Sequence, residues 1–241
     1  MHNEYDQQIA HHYGAFRPSL HFPILNKCIN DKIFKLGLDV GCGTGQSSIA
    51  LINFCEKVIG IDPSKDMLEK GIKNENIMYQ YFSGKSLPFE NNQFDIVTFA
   101  GSLFYAKSQL LVDEVNRVIK DKGNVVVYDF EILLDDVLVK LNVQPIKDTA
   151  IKYNHEENFS GLNQGKLKTK KISAEMMSIK IAPSDLAHLL LSSKENYNLL
   201  GEKFGAEELF KKIKRELIQL NKNENFSIEA GIYFSVYVFE K

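Results

Sequence analysis

Tryptophan is absent from this chain, and cysteine is scarce: Cys28, Cys42 and Cys55 are the only three in 241 residues. An odd number without metal-ligand spacing excludes a disulfide framework and predicts free thiols in a reducing compartment. No apolar run approaches the ~20 residues that cross a bilayer. The polar opening MHNEYDQQIAHHYG lacks the apolar core of a signal peptide, so a cytoplasmic location is expected. Neither sign of charge dominates. Lysine and arginine total 29 against 31 acidic residues, a formal net charge of -2, which gives no bulk reason to expect a nucleic-acid or membrane-surface partner. Internal repeats and low-complexity tracts are missing too.

What is present fits an ordinary globular chain, with 44% hydrophobic and 25% charged residues. The length suits a single domain over 1–241, with 131–165 as an insertion or lid because it exceeds an ordinary connection. Short apolar runs at Leu36–Val40, Val58–Ile61, Asn76–Phe82, Phe94–Phe99 and Asn124–Phe130 read as buried strands. Helical periodicity lies between them at Gln46–Asn53 and Ser108–Lys120, with Ser64 the N-cap of another helix. Helices are also expected at Asn3–Tyr13, Ile24–Asn30, Ser184–Asn198 and Ala206–Leu220, with Gly201 and Gly205 between the last two. Lys171–Ile181 and Gly231–Phe239 read as further strands. Alternating strands and helices predict an α/β fold with a mostly parallel sheet covered on both faces.

Two motifs carry chemistry. Leu38-Asp39-Val40-Gly41-Cys42-Gly43-Thr44-Gly45 turns a strand sharply into a helix, where glycines accept unusual backbone angles and let a ligand lie against the main chain. The helix start offers N–H groups to that ligand. Asp62 ends the next strand, where a carboxylate can accept both hydroxyls of a ribose. Nicotinamide dinucleotides and S-adenosylmethionine both use such an acid. The dinucleotide fingerprint wants glycine or alanine at position 46, where this chain has Gln46, and G-x-G-x-G favours a ligand without a pyrophosphate.

Further along stand Leu87-Pro88-Phe89, Phe94-Asp95-Ile96-Val97 and Glu114-Val115-Asn116-Arg117-Val118-Ile119-Lys120. With the glycine loop and Asp62, this order resembles class I S-adenosylmethionine-dependent methyltransferases, especially the small-molecule group with trans-aconitate and ubiquinone-pathway members. Arg17-Pro18 and Phe22-Pro23 are similar to the entry of the trans-aconitate-like members. The resemblance covers roughly positions 5 to 130. It implies a Rossmann-like, doubly wound seven-stranded sheet with an antiparallel last strand, a helical cap, and methyl transfer to a small molecule, including carboxylate-bearing metabolites. The partner implied is therefore a small molecule, bound by a monomer or homodimer.

The resemblance also implies roles for particular residues. Gly41, Gly43 and Gly45, with Asp39 and Cys42, would lie at the methionine moiety and ribose. Asp62 would bind the ribose hydroxyls, and Ser83-Gly84-Lys85 would lie at the adenine edge. Carbonyls of Ala100-Gly101-Ser102 would accept from the ammonium, and Arg17 could pair with a carboxylate of cofactor or substrate. Three departures stand out. Ser83 replaces an adenine-binding aspartate, Lys120-Asp121-Lys122-Gly123-Asn124 replaces a tighter turn, and Phe104-Tyr105 replaces a histidine or tryptophan beside the substrate. No catalytic residue is assigned. Tyr105 is the leading substrate-side candidate, though it reads equally as a core aromatic, with Tyr5, His11, His12 and Tyr13 as lid contacts.

Plainer readings stand beside these. Cys42 reads as packing, Asp95 as structural, and adjacent His11 and His12 as a solvated pair with no metal. Lys166–Lys171 reads as a solvated face. The rival functions are a nicotinamide-dependent oxidoreductase on a related sheet and a non-catalytic protein that binds S-adenosylmethionine for regulation. A nucleic-acid methyltransferase is disfavoured because Ala100–Tyr105 holds no Asn/Asp-Pro-Pro-aromatic tetrapeptide.

Overall fold

A computed structural model of the chain describes residues 2–29, 32–146, 153–222 and 224–240, with backbone alone for residues 2–6 and Ala10. In chain order the first half contains α1 (His2–Ala15), α2 (His21–Ile29), β1 (Phe34–Val40), α3 (Gln46–Leu51), β2 (Cys55–Asp62), α4 (Lys65–Glu69), β3 (Ile77–Tyr81) and β4 (Phe94–Ala100). Then follow α5 (Leu103–Ala106), α6 (Gln109–Val118), β5 (Ile119–Ile132), α7 (Asp135–Lys140), β6 (Leu167–Ile181), α8 (Pro183–Leu191), α9 (Lys194–Phe204), α10 (Leu209–Leu220) and β7 (Phe226–Phe239).

The strands form one seven-stranded sheet in the order β3-β2-β1-β4-β5-β7-β6. β1 pairs in parallel with β2 and β4, β2 with β3, and β4 with β5. The last strands are antiparallel. Glu240 N–H bonds the Lys166 carbonyl at 3.0 Å, while Ser178 and Ser227 meet hydroxyl to hydroxyl at 2.7 Å, so one strand rises as the other falls. This is the expected Rossmann-like arrangement. Helices flank it, which is why its central strands read as near-continuous apolar runs.

The described residues fall into two compact units. The larger comprises Ser19–Phe130, Tyr153–Glu175 and Ile232–Lys241. Its core joins Leu38, Ile61, Phe94, Val97 and Phe99 to Val112, Val115, Val125, Phe159 and Tyr237. The smaller comprises Met1–Pro18, Glu131–Lys152 and Met176–Gly231, and its core gathers Leu138, Leu186, Leu190, Leu200, Ile213, Leu217 and Phe226. Positions 131–165 are thus shared between the units.

The structure corrects several boundaries. β5 begins at Ile119, five residues before the expected start, because Lys120–Asn124 is a bulged extension of the strand. Phe94 pairs with Ile119 and Ile96 with Asn124, and Lys122 absorbs the extra residues at φ 61°. The single helix expected over Ser184–Asn198 is two, because Ser193 leaves helical geometry and caps α9 through the Asn196 N–H at 3.2 Å. Gly201 lies inside α9, and Gly205 at φ 77° ends it. His12 is buried, not solvated: its Nδ1 lies 2.9 Å from Nδ1 of His188, and its ring stacks on Phe210. Ser64 caps α4 as expected, accepting from the Met67 N–H at 3.3 Å.

Candidate active site

Strand order places the site. The chain runs outward from β1 through β2 to β3, then returns to β4 on the other side of β1. Loops leaving β1 and β4 therefore diverge, and ligands of open α/β sheets bind in the crevice this reversal opens at the strands' carboxyl ends. The glycine loop follows β1, and Ala100-Gly101-Ser102 follows β4.

The glycine loop is cinched onto β2, since Gly41 and Cys42 N–H groups both donate to the Ile61 carbonyl, at 2.8 and 3.0 Å. Gly45 takes φ 86°, and any side chain there would overlap the Tyr79 phenol. A side chain at Gly41 would overlap Ser102, whose hydroxyl donates to the Val40 carbonyl at 2.5 Å. Above Gly43 the space is open. Cys42 is buried, which pushes its thiol pKa up, in keeping with packing rather than nucleophilic chemistry.

Asp39 and Asp62 hold this loop from two sides. Asp39 is fully buried and accepts from Ser47 at 2.6 Å, Ser48 at 2.7 Å and Thr98 at 3.0 Å. Burial raises its carboxyl pKa, and the three hydroxyls oppose that rise. The side chain thus joins β1, α3 and β4 from beneath the loop. Asp62 accepts from the Gly43 N–H through Oδ2 and from the Ser64 N–H through Oδ1, both at 2.8 Å. Each oxygen retains a second lone pair for a ligand hydroxyl.

Ser83, Gly84 and Lys85 form an exposed turn after β3, where Ser83 accepts from the Tyr81 hydroxyl at 2.9 Å. The Leu87-Pro88-Phe89 segment is clamped by α6. Arg117 donates to the Leu87 and Phe89 carbonyls at 2.8 and 2.6 Å, and Glu114 accepts from the Leu87 N–H at 2.6 Å. Asp95 accepts from the Leu36 N–H and pairs with Lys120, both at 2.9 Å, the structural role expected of it. An open groove of about 590 Å³ runs beside β3, lined by Met78, Gln80, Leu87, Phe89 and Arg117. Its one charged base is bonded to Glu114, and it lies away from the glycine loop, so it is not the candidate site.

The carboxyl ends of β4 and β5 hold residues that sequence reasoning missed. Tyr105 is 79% exposed, which removes the core-aromatic reading. It lies against Tyr153, ring centroids 5.7 Å apart. The Tyr153 hydroxyl donates to the Gly101 carbonyl at 2.6 Å. Burial and the charge of Asp129 push its pKa up, keeping it protonated as a donor. Asp129 accepts from Nδ1 of His155 at 3.1 Å. An acid close to the carboxyl end of β5 could have been flagged by strand position alone. Tyr153 and His155 come from a segment with no periodicity, so nothing in the sequence pointed to them.

The remaining candidates lie in the smaller unit. The Tyr5 side chain lies outside the described residues. His11 and Tyr13 are exposed on α1, and the exposed Arg17 guanidinium sits 4.1 Å above the Tyr13 ring. Among the described residues no three His, Cys, Asp or Glu side chains could hold a metal ion, and no helix is long and apolar enough to cross a membrane.

Residues 38–127 match the family model described as a methyltransferase domain. The chain is 41% identical over 97 residues to the demethylmenaquinone methyltransferase of Staphylococcus aureus, covering 37% of this chain and 40% of that one. It is 33% identical over 110 residues to an uncharacterised methyltransferase, YcgJ, of Bacillus subtilis, covering 42% and 43%. The chain spans about half the length of the curated relatives it matches. A solved structure from Anaeromyxobacter dehalogenans, assigned as a type II methyltransferase, superposes with a TM-score of 0.63 over 93% of this chain and 98% of that one; at 15% identity it shows the fold. The glycine loop, Asp62 and the clamped Leu87–Phe89 block all lie within the residues that match the methyltransferase-domain model.

Proposed function

We propose that this chain transfers a methyl group from S-adenosylmethionine to a small-molecule acceptor. The observation that carries the reading is Asp62, held by two backbone N–H groups at the end of β2 with lone pairs to spare for a ribose. Gly41, Gly43 and Gly45 let the main chain pass under the methionine and ribose, and the open space at Gly43 supports that fit. Cys42 fills the loop's underside, Asp39 steadies it, and Ser83, Gly84 and Lys85 border the adenine. Carbonyls of Ala100, Gly101 and Ser102 receive the ammonium. When bound, the cofactor supplies a sulfonium that already activates its methyl.

The chain's own task is then to orient the acceptor and exclude water, and alignment alone lowers a barrier by ~7–11 kcal/mol in favourable cases. Tyr105 contributes on the acceptor side. Arg17, Tyr5, Tyr13 and His11 remain sequence-derived candidates on or beside α1. A carboxylate-bearing acceptor, as in the trans-aconitate-like or ubiquinone-pathway members, belongs to this reading. The nicotinamide alternative is disfavoured by Gln46 and by the Leu87–Val97 block.

Calorimetric titration with S-adenosylmethionine and, separately, with NADH tests the proposal. Saturation by the methyl donor alone is the expected result. Binding of NADH alone would overturn it.

A further inference from the structure

Among the described side chains of α1, His12 alone is buried. Ile9 and Phe16, three residues before it and four after, lie on the same side of the chain and pack half-buried against the core of the smaller unit. Gln7, Gln8, His11 and Tyr13 are exposed. An isolated helix of 14 residues is marginal in water, so α1 depends on this docking for its own stability. The central docking contact is polar. His12 Nδ1 lies 2.9 Å from Nδ1 of His188 on α8, and Phe210 of α10 stacks on one ring and approaches the other to 4.2 Å. We infer that this contact is a proton-operated latch: protonation of the histidine pair frees α1 from α8 while the rest of the smaller unit stays folded.

The latch follows from the chemistry of two imidazoles meeting through the same nitrogen. A hydrogen bond there needs one ring with a proton on Nδ1 and the other with a lone pair. Once both rings are protonated, each Nδ1 is a donor, and two like charges face each other in a buried contact. The surroundings give that charge little help. Among the described residues, the charged groups acting on His12 are His188 and His11, and both oppose a proton there. The His11 ring lies 5.4 Å from His12 and 6.1 Å from His188, so all three histidines repel one another when charged. On α8, Asp185 favours a proton on His188, whereas Lys214 of α10 and His11 disfavour it. Tyr197 of α9, whose ring lies 6.4 Å from His12, adds no charge. Undocking restores each ring to water, and proton uptake therefore pulls α1 off. The core beneath, with Leu186, Leu190, Leu200, Ile213 and Leu217, is apolar and has no such dependence.

Hydrogen exchange of the full-length protein, read by mass spectrometry and corrected for the intrinsic pH dependence of exchange, tests the latch. With a docked His12 that titrates at about 4 and a released one near ~6.5, lowering pH from about 7.5 to about 5.5 should cut the protection of α1 amides by about tenfold. Amides of α10 and β1 should keep their protection over the same range. In His12→Phe, α1 should stay protected at the lower pH. In His188→Gln, which removes one titrating ring, the loss should be smaller than in the parent. Four results would overturn the latch. They are α1 amides unprotected at the higher pH, α1 protection that ignores pH, α1 and α10 losing protection together, and a loss in both variants as large as the parent's. The comparison of α1 with α10 in the parent decides the matter even if a variant fails to fold.

Discussion

Glu114 and Arg117, one turn apart on α6, form a pair at 2.7 Å that grips the Leu87-Pro88-Phe89 segment from both sides of its backbone. The two sequence blocks that resemble family motifs are thus a single physical device. The guanidinium fork satisfies two carbonyls of a segment that has no helix or strand of its own to satisfy them.

Arg117→Ala should destabilise the fold by about 2–3 kcal/mol, lowering Tm by roughly 5–10 °C, because it strands the Glu114 charge and two carbonyls together. The hydrogen bonds from Arg117, above all, hold the Glu114 carboxyl down to a pKa of about 2. Between that value and an unfolded pKa near ~4.3 the unfolded chain binds the extra proton, so the contribution is complete above ~5 and lost as pH falls toward ~2. Melting curves across this range should be steeper for the parent than for Arg117→Ala. Parallel curves would refute the coupling.

Asp62→Ala should remain folded and bind S-adenosylmethionine at least ~10-fold more weakly, since hydrogen bonds to a charged group contribute ~1.5–3 kcal/mol each. Asp62→Asn, which keeps the shape and one acceptor, should fall between the two. Affinity in Asp62→Ala equal to the parent's, measured calorimetrically, would remove the ribose role.

Two glycines of one loop should respond differently to alanine. Gly43→Ala meets open space and incurs only the left-handed backbone cost, ~1–2 kcal/mol. Gly45→Ala adds an overlap with the Tyr79 ring, for a total of roughly 3 kcal/mol or more. Chemical denaturation of both proteins checks the ranking, and equal losses would contradict the close approach of Tyr79.

Burial, then the neighbouring His188 and His11, lowers the His12 pKa to about 4. An unfolded histidine titrates near ~6.5, so the unfolded chain takes up protons first and stability should drop as pH falls from ~6.5 to ~4. Asp185, which favours a proton on His188, and Lys214, which disfavours it, also face this cluster. His12→Phe, which preserves the stacking on Phe210, should flatten the acid side of a stability profile. A profile as steep as the parent's would place the sensitivity elsewhere.

Much of the larger unit was legible from local pattern. β1, β2, β3 and β4 are short apolar runs punctuated by glycine or a capping serine, and period and punctuation are local properties. The boundary misses share one cause. Lys122 at φ 61° and the Ser192–Ser193 break depend on what the neighbouring strand or helix demands, and propensity carries no record of that. His12 was misread for the same reason: adjacency to His11 said nothing of His188, 176 residues away.

The sequence by itself determined the strand–glycine–helix turn, the acid at position 62 and the order of the blocks around them, because each lies within a few residues of the backbone geometry it needs. Only the tertiary structure decided what long-range contact controls. It placed Asp39 beneath the loop on three hydroxyls, set Tyr79 against Gly45, and brought Asp129, Tyr153 and His155 together beside Gly101. Side chains that meet across such sequence separations leave no periodic trace in the chain. Their pairing is fixed only when the sheet and its connections close around them.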